Sequence, residues 1–104
     1  MADDFLSHFH DLNVVRCNEK YFGIDSWSET DWGCAAAGEM GELCDLLKKR
    51  RRGQDIPLEA VGKEIADVVT YLDLLCAKLG LSLQDVVTKK FNEVSARCGF
   101  PILL

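Results

Sequence analysis

Proline is scarce: in 104 residues only Pro57 and Pro101 occur. Helices therefore have few forced stops. No stretch alternates β-branched and polar residues between hairpin turns, so a strand-rich fold is not expected. No apolar run approaches the roughly 20 residues that span a bilayer. The opening MADDFLSHFH is acidic and lacks an apolar h-region, so it does not read as a signal peptide. The cysteines, Cys17, Cys34, Cys44, Cys76 and Cys98, are odd in number and form no CxxC pair. They read as reduced thiols in a cytoplasmic protein, mostly packed as small apolar side chains, and not as a disulfide frame or zinc site. Basic residues are outnumbered, and the net charge of −5 argues against a dedicated nucleic-acid binder.

What is present is helical periodicity. Hydrophobic residues make up 48% of the chain, ordinary for one small globular domain spanning 1–104. A first helix is predicted from about Asp4 to Tyr21, with Phe5, Phe9, Leu12, Val15 and Tyr21 as its apolar face. Gly23 ends it, and Ile24 to Ser28 reads as a loop. Ser28 with Asp31 makes a capping-box start for a second helix, which runs to about Arg52 and stops at Gly53. Pro57 suits the first turn of a third helix, which ends at Leu79 with Gly80 in the left-handed position. Ser82 with Asp85 caps a fourth, ending before Gly99. The expected fold is all-α, four helices joined by short loops.

The acidic residues fall on unexpected faces. At about 100° per residue, Glu39 lies between Trp32 and Leu46 within the apolar stripe of the second helix, with Leu43 and Ala35 close by, and Glu42 is about 60° away. On the third helix Glu64 lies near Leu75 and Val68, and Asp67 is flanked by Tyr71 and Leu74. Asp73 and Glu59 are expected to face solvent, with the core nearer Val61, Leu72 and Leu79. Ionised carboxylates on buried faces are costly unless paired, and no Lys or Arg occupies those faces. A hard divalent cation held by oxygen ligands removes the cost, and two i, i+3 pairs on consecutive helices can converge on one ion. It would also reconcile an acidic chain with an anionic ligand.

The motif Glu39-Met40-Gly41-Glu42 is an ExxE, and Glu64-Ile65-Ala66-Asp67 is an ExxD. With the text GEMGELCDLLKK, the Leu79-Gly80 stop and the downstream KFN, the region from about Trp32 to Pro101 resembles the MazG-like all-α nucleoside triphosphate pyrophosphohydrolases. The resemblance implies a MazG-like four-helix bundle assembled as a homodimer or homotetramer. It implies Mg²⁺-dependent (Mn²⁺ possible) hydrolysis of a (deoxy)nucleoside triphosphate to the monophosphate and pyrophosphate, for pool control or house-cleaning. By position, Glu39, Glu42, Glu64 and Asp67 match the metal ligands and catalytic acids, and Lys90 and Asn92 match residues contacting phosphate or sugar. Gly38 departs from the pattern: many relatives carry an acid there, a candidate general base. In its absence, a metal-bound water is activated directly or a ligand carboxylate doubles as base.

Other features have two readings each. Lys48 to Arg52 either complements a helix C-terminus or, through Lys48 and Lys49, helps hold a triphosphate. Trp27 and Trp32 either stack on a nucleobase or anchor the loop. His8, with Phe5 and Phe9, is a further candidate for a base pocket. Arg16 either approaches phosphate or faces solvent. His8 and His10 point to different helix faces, which argues against chelation. Besides a hydrolase, a metal-binding regulatory module or a helical dimerisation module fits the same residues.

Overall fold

The computed structural model describes residues 4–104. Met1 to Asp3, part of the acidic opening discussed above, lie outside the described residues. The described chain forms four α-helices and no strands: α1 (Phe5–Lys20), α2 (Glu29–Arg51), α3 (Leu58–Leu79) and α4 (Leu83–Cys98). A single 3₁₀ turn, Ile24–Ser26, joins α1 to α2 within the segment read as loop. None of these helices is long and apolar enough to cross a membrane.

The boundaries follow local chemistry. Ser28 and Asp31 close a full capping box at the start of α2, each side chain taking the other's backbone N–H. Ser82 accepts from the Asp85 amide and starts α4. Pro57 stands one residue before α3 as its N-cap, where its missing N–H costs nothing. Gly80 and Gly99 end α3 and α4 in the left-handed conformation, at φ 72° and 78°, which a residue with a Cβ adopts with strain.

α2 and α3 form the main helical pair, joined by a short connection. α1 lies against another side of α3, and α4 contacts α1 and α3 but not α2. α3 is thus covered on two sides. The core gathers Cys17, Trp32 and Leu74, backed by Ile24, Tyr71 and Leu75. Trp32 is tied further by donating its indole N–H to the Ile24 carbonyl at 3.0 Å.

Several expectations are corrected. α1 turns inward through Asn13 and Cys17, with His10 half-buried, while Phe5, Leu12, Val15 and Tyr21 are exposed. Phe9 of the expected stripe is half-buried, but the buried positions of α1 are set by polar partners on α3 and by the core at Cys17. Asp73 does not face solvent: it is fully buried, because α1 covers the side of α3 opposite α2. Val61 is buried as expected, whereas Leu72 and Leu79 are exposed and Leu74 and Cys76 take the interior positions. Only Cys17 and Cys76 among the thiols are buried; Cys34, Cys44 and Cys98 are exposed, and all are free.

A candidate metal centre beside an aromatic cavity

The facing stripes of α2 and α3 bring the acidic motifs together. One oxygen from each of Glu39, Glu64 and Asp67 lies within 4.8 Å of the others. Glu39 Oε2 and Glu64 Oε2 are buried and, among the described residues, have no hydrogen-bond partner. Two carboxylates can bond each other only through a shared proton. That sharing with Glu64, then burial, then the negative charge of Glu42 push the Glu39 carboxyl up to about 7. Among the described residues no Lys or Arg forms an ion pair with either motif; the ion pairs present lie elsewhere.

The members are not equivalent. Glu39 and Glu64 are half-buried and Asp67 is exposed. Glu42 is exposed and stands outside the three-way convergence, although close enough to act on Glu39. It belongs to an open groove of about 510 Å³ with Gly38, Gly41, Asp45, Leu46 and Glu64. A Cβ at Gly38 would meet nothing within 4 Å, so no steric reason requires glycine there.

On the other side of the cluster is a cavity of about 380 Å³ between α1, the 3₁₀ turn, α2 and α3. Asp67 is on its wall, together with the aromatic side chains Tyr21, Phe22, Trp27, Trp32 and Tyr71. Trp27 and Trp32 are 4.6 Å apart by ring centroid, and Trp32 and Tyr71 are 6.3 Å apart. Burial first, then the charges of Glu39 and Asp67, raise the Tyr71 hydroxyl above its usual value. Tyr71 therefore borders both the cavity and the acids. Trp32 is largely a core residue with its N–H used internally, so Trp27, 41% exposed, offers the more accessible ring.

The remaining candidates lie apart. Lys48, Lys90 and Asn92 are on neither wall. Lys90 pairs with Glu93 at 3.4 Å, and Asn92 exchanges hydrogen bonds with the Leu104 backbone. His8, Phe5 and Phe9 are also absent from the aromatic cavity. Arg16 does line it, as do Asn13 and Thr70, which the residue pattern did not single out. The signal available for that region was Asp73, a lone charge inside the run VVTYLDLLC.

No family model, no curated protein and no solved structure matches this chain.

Proposed function

We propose that the chain is a Mg²⁺-dependent nucleoside triphosphate pyrophosphohydrolase of the MazG-like kind, releasing pyrophosphate and the nucleoside monophosphate. The observation that carries this reading is the position of Asp67. It belongs both to the carboxylate convergence and to the wall of the aromatic cavity. A ligand with a flat ring at one end and polyphosphate at the other matches that juxtaposition.

The donor set fits a hard divalent cation. All three converging groups are carboxylates, and two of their oxygens are buried without a partner. Glu39, Glu64 and Asp67 would hold the ion, which would supply positive charge against the phosphates and acidify a nearby water. Glu42, exposed in the adjoining groove, is the carboxylate left free to accept a proton from the attacking water. Trp27 and Tyr71 supply ring faces for the base, and Arg16 is the cation on the cavity wall available to phosphate.

The same reading includes assembly into a homodimer or homotetramer. The radius of gyration is 16.1 Å, against about 13 Å for a compact domain of this length. The accessible surface is 7476 Å², roughly 1,600 Å² more than a monomer of this mass usually exposes. That excess is the scale of a sizeable protein interface on each chain. Val87, Phe91 and Val94 leave an apolar stripe open along α4.

Pyrophosphate release over a panel of canonical and modified triphosphates, with Mg²⁺ and with Mn²⁺, tests the activity. Isothermal titration with the metal alone tests the centre. Metal binding without cleavage of any triphosphate would turn the reading to a regulatory module; absence of metal binding would remove the centre.

A further inference from the structure

One buried network is unused by the acidic centre. Asp73 is fully buried, and its two oxygens accept from His10 Nδ1 at 2.7 Å and Asn13 Nδ2 at 3.0 Å. The same Asn13 nitrogen donates to the Thr70 carbonyl at 3.1 Å. A primary amide has two N–H groups, and both are thereby used. The orientation is fixed by chemistry, since turning the amide over would set its oxygen against a carboxylate and a carbonyl with no proton between them. Asn13 is 3% exposed and forms part of the aromatic cavity's wall. Among the described residues nothing donates to its Oδ1, and that atom is not among the sealed, partnerless ones. Asn13 Oδ1 is the acceptor left for an occupant.

Two hydroxyls on the same wall are in the same condition. Thr70 Oγ1 donates to the Ala66 carbonyl at 2.8 Å, and Ser26 Oγ donates to the Gly23 carbonyl at 2.6 Å. Each has spent its hydrogen and keeps only lone pairs. The donors on the wall belong to Arg16, to tyrosine hydroxyls and to the Trp27 indole N–H. Asn13 Oδ1, Thr70 Oγ1 and Ser26 Oγ are acceptors, each held in place by its own group's hydrogen bonds.

We propose that this cavity selects nucleotides whose base carries an exocyclic amino group, cytosine or adenine, over their keto counterparts. Asn13 Oδ1 is the specificity determinant, and His10 and Asp73 are positioning residues acting through it. The inference rests on the nucleotide reading of the adjoining centre. An amino group offers two N–H donors to Asn13 Oδ1 and the neighbouring hydroxyl acceptors. A keto oxygen in its place faces lone pairs and loses its partner on burial.

The test measures binding of dCMP, dUMP, AMP and IMP to the full chain through quenching of Trp27 and Trp32 emission. In parallel, kcat/KM is measured for dCTP, dUTP, ATP and ITP with Mg²⁺. Within each amino–keto pair the amino member is expected to win by about tenfold or more in both readouts. The ranking of cytosine against adenine separates the two sources of the amino group. His10→Ala should bring the ratios toward one, and His10→Gln, which keeps a donor, should restore them with little change in kcat for the amino substrate. Nucleotides that bind or are cleaved without amino–keto discrimination overturn this inference and leave the hydrolase reading intact. A chain that neither binds nor cleaves any of them overturns both. Unchanged ratios in a folded His10→Ala protein overturn the positioning role. The wild-type ratios decide the specificity whether or not a variant folds.

Discussion

His10 Nδ1 stands 2.7 Å from Asp73 Oδ1 and joins α1 to α3 at a carboxylate with no solvent exposure. Removing the imidazole leaves that charge short of a partner. His10→Ala is therefore expected to destabilise the protein by about 3 kcal/mol. Asp73→Asn should cost only about 1 kcal/mol, because a carboxamide can still accept from Asn13 and exchange donor roles with the imidazole. Urea unfolding at fixed protein concentration, with both variants and wild type, measures the difference.

The Glu39 carboxyl gives a pH dependence with a definite sign. It is raised from 4.5 to about 7 in the folded chain, so between those values the folded state binds more protons than the unfolded state. Stability of the metal-free protein should fall as pH rises through that window. Glu39→Gln should flatten the fall and stabilise the metal-free protein at pH 8. Thermal melts across pH, with chelator present, read the effect. Saturating Mg²⁺ should reverse the slope, because the ion competes for the same oxygens and releases the proton.

Glu42 and Glu39 should separate kinetically. Glu42→Gln is expected to lower kcat by about 10²-fold or more, with metal affinity within a fewfold of wild type. Glu39→Gln should weaken metal binding first and lose activity with it. Titration calorimetry paired with turnover at saturating metal distinguishes the two roles. Equal loss of metal affinity in both variants would place Glu42 in the ligand set.

Gly38 has open space around its position, so side chains should be tolerated there. Gly38→Ala is expected to stabilise the chain by about 0.5–1 kcal/mol, through better helix propensity in α2, and to leave turnover unchanged. A drop in activity would assign Gly38 a close approach to substrate. Thermal shift and a single-substrate assay suffice.

The exposed stripe on α4 should hold copies together. Val87→Asp combined with Val94→Asp is expected to yield a smaller species by light scattering. A double variant with unchanged mass would place the interface elsewhere.

The helices and their ends were readable in the sequence because caps act locally. Ser28–Asp31, Ser82–Asp85, Gly80 and Gly99 set their boundaries through neighbours a few residues away. The convergence of Glu39, Glu64 and Asp67 was legible from phase, since two facing helices with matched spacing meet in few ways. Glu42 fell outside it because i, i+3 places it about 60° round, enough to reach the groove. The inner face of α1 was not legible. Its burial depends on Asp73, some sixty residues away, and periodicity reports only how a helix partitions, not what another helix demands of it. Reading α3 as having one buried side made Asp73 a surface residue; with α1 against a further side, that rule fails.

Asp67 is common to the acid cluster and the aromatic wall. Under the proposed reading, whatever factor an occupied ring cavity adds to cation affinity, the cation must return to the ring, because linkage is reciprocal. A poorly fitting base would then be penalised twice, once in its own contact and again through weaker cation retention. Discrimination would accordingly vary with free Mg²⁺, sharpest where the ion is limiting and muted where it saturates.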